Sequence, residues 1–89
     1  MIIDSHCHLE YDPMSLSLDE TITRANNEGV ELILTISTTD ESLKKILKIT
    51  SDFKCVYGTY GIHPHEAKNH KNISSNEIIN KINLSKKII

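Results

Sequence analysis

Two histidines near the start of the chain have the spacing of a divalent-metal site. His6 and His8 lie in segment 4–8 (DSHCH), directly after an apolar pair. Residues two apart in extended backbone point to the same side, so the two imidazoles are predicted to converge while Cys7 faces away. Two imidazoles supply half of a typical divalent-metal site. Asp4 has the same parity and could be a ligand or orient a histidine; surface histidines without a role are the alternative.

A second histidine pair follows the third apolar run of the chain. His63 and His65 flank Pro64, which restricts its own backbone and that of the residue before it. Imidazoles in a rigid loop could supply a metal ligand, a donor to phosphate or a proton carrier. A structured loop with exposed histidines is the alternative. His70, in the polar run 68–72, is assigned no role.

Short apolar runs indicate the strands that would carry these motifs. They predict a first strand ending near Asp4, two further strands over 30–36 and 55–60, and the start of a fourth over 86–89. The run 30–36 is nearly continuous, which is typical of a strand covered on both faces. Within it, alternation predicts Leu32 on one side and Ile33 and Thr35 on the other.

Three segments between the strands have helical periodicity. Ser17 and Ser74 each stand three positions before a glutamate, which is the capping-box pattern of a helix start. Thr39 is predicted to cap the second helix, and Gly29 to end the first in a left-handed conformation. Strands that alternate with helices through short connections predict an α/β fold with a parallel sheet.

Composition limits the class of protein. The 89 residues suffice for one small domain, and 25% charged residues with a net charge of −2 offer no basic excess to hold nucleic acid by charge alone. No stretch approaches the roughly 20 apolar residues of a membrane span, and the first residues lack the pattern of a signal peptide. We therefore expect a cytoplasmic protein in which Cys7 and Cys55 are reduced thiols.

The two histidine motifs together resemble the TatD family of metal-dependent deoxyribonucleases, which are amidohydrolase-like TIM barrels. Segment 3–9 (IDSHCHL) is similar to the opening of that family, and segment 60–67 (YGIHPHEA) resembles its Gly-(Ile/Leu)-His-Pro-His segment. The polymerase-and-histidinol-phosphatase group shares the first pattern but lacks the second. Such barrels run to about 250 residues, so the resemblance implies that residues 1–89 are a truncated N-terminal portion of one. This portion would contain three βα units and the start of the fourth strand of an incomplete (β/α)8 barrel. No second domain is expected.

The resemblance also implies the roles of the histidines. His6 and His8 would be metal ligands, His63 and His65 would lie near the substrate phosphate, and Asp4 would support the ligands. The chemistry would be hydrolysis of DNA phosphodiesters with two divalent ions, Mg²⁺, Mn²⁺ or Zn²⁺. The family's metal-bridging glutamate and catalytic aspartate would follow residue 89, so we expect no catalytic residue within the chain and an incomplete metal site.

Three interpretations remain open on the sequence. The chain could be part of a TatD-like nuclease that needs further residues for activity. It could be an inactive, non-enzymatic remnant, or a small metal-binding module that pairs with a separately encoded remainder of the barrel. A partial barrel presents unpaired strand edges and apolar surface, which predicts self-association or such pairing.

Overall fold

Three strands alternate with three helices along residues 1–89, all of which the computed structural model describes. The strands are β1 (Ile2–Cys7), β2 (Val30–Thr35) and β3 (Val56–Gly58), and the helices are α1 (Leu18–Asn27), α2 (Asp40–Asp52) and α3 (Ser75–Ile82). Two 3-10 helices lie between them, at Met14–Leu16 and Pro64–His70. The strands pair in the order β1-β2-β3, and both pairs are parallel. The predicted α/β fold with a parallel sheet is confirmed.

The first strand is longer than predicted. β1 continues past Asp4: the register is irregular between Asp4 and Cys7, and pairing with β2 resumes at Cys7, opposite Thr35. His6 therefore lies inside the strand and His8 directly after it. At the other edge of the sheet β3 has only three residues, and the predicted fourth strand is represented by a single parallel bridge between Gly58 and Ile88.

The prediction that β2 is covered on both faces is wrong. Ile33 and Thr35 are buried, whereas Leu32 on the opposite face is 36% exposed. The difference has a simple cause: the buried cluster that contains Ile33 takes its other members from β3, α1, α2 and Leu9, all on the same side of the sheet. The alternation of sides along the strand is as predicted.

The core joins the sheet to the first two helices. One cluster of buried apolar side chains comprises Leu9, Ile22, Ile33, Ile49 and Val56. A second cluster links α2 to the last residues and comprises Leu43, Ile46 and Ile88. Each fully buried side chain of this kind contributes roughly 1.5–3 kcal/mol relative to exposure. The carboxyl ends of the strands are therefore held against a fixed layer of helices.

The helix ends match the sequence patterns in part. Thr39 caps α2: its Oγ1 accepts from the Ser42 N–H at 3.0 Å, and Ser42 Oγ accepts in return from the Thr39 N–H. Ser74 Oγ accepts from the third residue of α3 as predicted, and Gly29 ends α1 at a φ of 93°. The capping box predicted at Ser17 is wrong, because the 3-10 helix before it runs directly into α1 and the Ser17 side chain makes no capping hydrogen bond. None of the helices has the length and apolar character needed to cross a membrane.

A lysine near the end of the chain fastens it to the end of α2. Lys87 Nζ donates to the carbonyl oxygens of Thr50, Phe53 and Lys54, at 2.7, 2.8 and 3.2 Å. A helix leaves its last carbonyls without intrahelical partners, and here the three donors of the ammonium serve Thr50 in the last turn of α2 and the two residues directly after the helix. Burial lowers the pKa of Lys87 from its ordinary value, so desolvation offsets part of this contribution.

Replacing Lys87 with methionine should lower the free energy of unfolding by about 1–2 kcal/mol, because the variant keeps the apolar stem and leaves three carbonyls without their charged donor. Urea denaturation followed by circular dichroism measures the change. Lys86→Met is the matched control, since Lys86 is exposed and should change stability by less than about 0.5 kcal/mol. Equal losses in the two variants would contradict a specific role for Lys87.

Candidate functional site

The two histidine motifs meet at one cavity of about 320 Å³. The cavity is lined by His6, His8, Ile36, Ser37, Thr38, Thr59, Gly61, Ile62 and His63. All of these residues lie within or just after β1, β2 and β3, at the carboxyl ends of parallel strands, where folds of this class place their sites. The predicted convergence of His6 and His8, with His63 on the same rim, is confirmed as geometry. Their roles stay predictions.

The imidazole of His8 is fixed on two sides. Its ring centroid lies 5.3 Å from that of His6, with the planes at 81°, and its other neighbour is the Tyr11 ring, stacked at 4.8 Å and 10°. The Tyr11 hydroxyl is in turn 2.8 Å from Thr38 Oγ1. The stacked tyrosine leaves His8 little freedom to rotate away from His6.

A backbone carbonyl determines which nitrogen of the neutral His8 ring carries the hydrogen. His8 Nδ1 lies 3.0 Å from the carbonyl oxygen of Ile36. A carbonyl can only accept, so Nδ1 carries the hydrogen and Nε2 keeps its lone pair. This is the arrangement in which a metal-binding histidine donates through one nitrogen and coordinates through the other.

His63 has the opposite arrangement. Its Nδ1 accepts a hydrogen bond from the backbone N–H of His65 at 3.1 Å. A neutral His63 therefore carries its hydrogen on Nε2 and acts as a donor, which suits an anionic oxygen and does not suit a cation. The loop is held in place by the His63 N–H, which donates to the Thr38 carbonyl at 2.9 Å. His8 and His63, which both line the cavity, thus differ in chemistry.

The other two predicted site residues, Asp4 and His65, do not line the cavity. Asp4 is exposed, and its Oδ1 accepts from the backbone N–H of His6 at 3.1 Å, so it supports the strand at His6 and contacts no imidazole nitrogen. His65 is exposed and does not line the cavity, although its ring lies 4.7 Å from that of His63. Its placement near a substrate phosphate stays a prediction.

Cys7 lies between the two histidines but faces the helices, as predicted. Its thiol packs against the first core cluster and is 3.6 Å from the carbonyl oxygen of Leu34. Burial, followed by the charges of Asp4 and Glu10, raises the pKa of the Cys7 thiol to about 11. The Cys7 thiol therefore belongs to the core side of the sheet and does not line the cavity.

Sequence reasoning missed one charged residue of this region. Glu10 is 3% exposed, and its Oε2 accepts from the Thr35 hydroxyl at 3.0 Å. The other carboxylate oxygen lies 3.5 Å from His8 Nδ1 and has no hydrogen-bond partner. The strand has ended before Glu10, so alternation does not predict its direction; the only signal was its position two residues after His8.

The cavity offers two nitrogen ligands to a divalent metal. No group of three or more His, Cys, Asp or Glu side chains within residues 1–89 lies close enough together to hold an ion. Catalytic zinc normally has three protein ligands and a water. His6 and His8 therefore fit part of a metal site, and the remaining ligands would have to come from other groups.

Comparisons with known proteins agree with this architecture. The family model described as TatD related DNase matches residues 3–88. The chain is 28% identical over 76 residues to YjjV of Escherichia coli K12, an uncharacterised metal-dependent hydrolase, and covers 29% of that protein. It is 34% identical over 74 residues to another such hydrolase from Buchnera aphidicola subsp. Baizongia pistaciae, covering 28% of it. The matches cover 85% and 80% of this chain.

Two further proteins extend the comparison. A Danio rerio protein, tatdn3, whose name carries a provisional deoxyribonuclease assignment, is 25% identical over 63 residues, which are 70% of this chain and 24% of that protein. The crystal structure of YjjV, described as a TatD homologue, superposes with a TM-score of 0.80 at 22% identity over 99% of this chain and 34% of that one. The predicted match to part of a TatD-type TIM barrel is confirmed, and the chain spans less than a third of the length of these curated relatives. Because the family model covers nearly the whole sequence, the chain belongs to the TatD-related DNase family.

Proposed function

We propose that this chain supplies two metal ligands and one phosphate-contacting histidine to a divalent-metal-dependent hydrolase that cleaves DNA phosphodiesters. The observation that carries the proposal is that two histidines at one cavity have opposite Nδ1 partners, a carbonyl oxygen for His8 and a backbone N–H for His63. In the neutral rings these contacts leave a lone pair on Nε2 of His8, the neighbour of His6, and an N–H on Nε2 of His63. A cation and a phosphate oxygen are the ligands that these two arrangements suit.

Each residue has a separate task in this proposal. His6 and His8 hold a divalent ion, which when bound polarises a phosphoryl oxygen and lowers the pKa of a coordinated water. His63 donates from Nε2 to a phosphate oxygen and so orients the substrate. DNA as the substrate rests on the description of the family. The metal, Mg²⁺, Mn²⁺ or Zn²⁺, and a cytoplasmic location stay predictions.

Cobalt binding tests the metal part of the proposal. Co²⁺ added to the 89-residue chain should broaden the NMR signals of the His6 and His8 rings before those of other histidines. His6→Ala and His8→Ala should each weaken binding at least about tenfold, since each removes one of two ligands.

His70→Ala is the matched control for the cobalt titration. The His70 ring is bonded through Nδ1 to the Glu66 carbonyl and does not line the cavity, so its removal should leave cobalt binding unchanged. Binding that survives both His6→Ala and His8→Ala, or that is lost equally in His70→Ala, would refute the proposed site.

A metal-binding module that works with ligands from elsewhere is the second candidate. It is favoured by the lack of any group of three ligating side chains within residues 1–89.

We expect these residues alone not to hydrolyse DNA above background with Mg²⁺, Mn²⁺ or Zn²⁺, because two imidazoles leave the metal shell open and supply no general base. Release of fluorescent nucleotides from single- and double-stranded DNA measures this. Metal-dependent cleavage abolished by His6→Ala would show that the 89 residues are sufficient. The expected self-association, or pairing with the remainder of the barrel, is measured by sedimentation.

A further inference from the structure

One buried charge next to the cavity lacks a complete set of partners. Glu10 follows β1 and is 3% exposed. Oε2 accepts from the hydroxyl of Thr35, whereas Oε1 is the one buried side-chain nitrogen or oxygen atom of the chain without a hydrogen-bond partner. Burying a carboxylate is costly unless it is paired, so a half-satisfied one needs a reason.

The ionic neighbour of Glu10 is His8. Lys44, Lys45 and Lys48 line a second cavity together with Glu10, but none forms an ion pair with it, and its one ionic contact within 4.0 Å is from Oε1 to His8 Nδ1, at 3.5 Å. The carboxylate thus lies beside Nδ1. Its negative charge is directed at the edge of His8 that also bonds the Ile36 carbonyl.

We propose that Glu10 is a positioning residue for His8. Its carboxylate oxygen Oε1 lies 3.5 Å from Nδ1, beside the Ile36 carbonyl that accepts the Nδ1–H, and its uncompensated charge strengthens the binding of a divalent cation by His8. A carboxylate behind a ligating imidazole fixes the ring and makes the coordinating nitrogen more basic. The inference rests on the proposed function, since it takes His8 to be a metal ligand.

Glu10→Gln tests the proposal, because it keeps the shape and the acceptor for Thr35 but removes the charge. With Co²⁺ as the probe, the dissociation constant should rise about 10–100-fold. Glu20→Gln is the control, since Glu20 is exposed on α1 and should leave the constant at the wild-type value. The far-ultraviolet circular dichroism of metal-free Glu10→Gln should match that of the wild type, which separates weaker binding from loss of the fold. An unchanged dissociation constant would overturn the proposal.

A metal-free measurement separates this inference from the proposed function. Nitrogen NMR of labelled histidines should place the hydrogen of His8 on Nδ1, and Glu10→Gln should shift the His8 ring nitrogens while leaving those of His6 in place. A hydrogen on Nε2 of wild-type His8 would overturn the positioning role without need of any variant. If the wild type does not bind Co²⁺ at His8 but these shifts occur, the metal site is refuted and the contact between Glu10 and His8 stands.

Discussion

Replacing Gly58 with alanine is expected to lower the free energy of unfolding by about 3 kcal/mol, because the new methyl group has no space. A Cβ built at Gly58 would overlap the Ile46 Cγ2 methyl and lie 3.0 Å from Ile88 Cδ1. The backbone has no room to retreat: the Gly58 N–H donates to the Lys87 carbonyl at 2.8 Å, and its own carbonyl accepts from the Ile89 N–H at 2.9 Å. The glycine is therefore what lets the sheet and α2 approach.

Gly61 provides a matched control for this substitution. A Cβ there would meet nothing within 4 Å, and its backbone φ is not positive. Gly61→Ala should leave stability unchanged or raise it by up to about 1 kcal/mol through the reduced entropy of the unfolded chain. Urea unfolding of both variants, with equal m-values, measures the difference. Similar stabilities of the Gly58 and Gly61 variants would contradict the close packing at β3.

Replacing Thr35 with valine should cost about 3 kcal/mol as well, although the side chains are nearly equal in shape. The Thr35 hydroxyl is fully buried; it accepts from the Leu9 N–H at 3.1 Å and donates to Glu10 Oε2 at 3.0 Å. Valine leaves both groups buried without a partner, and each such group costs about 1–3 kcal/mol. Loss of these two hydrogen bonds should also make the segment after His8 more mobile. Cobalt binding should therefore weaken too.

Thr35→Ser is the variant that isolates the hydroxyl. It keeps both hydrogen bonds and removes one methyl group, so its loss should be close to the roughly 1 kcal/mol of a buried methyl. Chemical denaturation compares the two variants, and the His8 ring signals report the loosening. If serine proves as destabilising as valine, packing of the methyl group, and not hydrogen bonding, is what Thr35 contributes.

The sequence predicts those parts of the molecule that depend on periodicity. The same-side placement of His6 and His8 follows from alternation along a strand, and the α/β alternation follows from the apolar runs. Gly29 and Thr39 were correctly identified as helix ends because a left-handed glycine and a capping hydroxyl act locally. Structural features that are determined by residues close together in the sequence could therefore be predicted.

Features that depend on distant residues could not be predicted in this way. β1 reaches Cys7 only because β2 supplies partners up to Thr35. Glu10 gives no local signal of burial, since its place depends on the Thr35 hydroxyl 25 residues later. The arrangement of hydrogens on His8 likewise depends on a carbonyl 28 residues away.

The attachment of Lys87 to the end of α2 also has a consequence for the order of folding. Its three acceptors lie 33 to 37 residues earlier in the chain, so the contact closes a long loop whose entropy must be lost before the contact can form. Such a contact is expected to be absent from the transition state, with a φ-value near zero. Removing the ammonium should then leave the refolding rate almost unchanged and increase the unfolding rate. Lys87 would thus lengthen the lifetime of the native state without changing the folding rate.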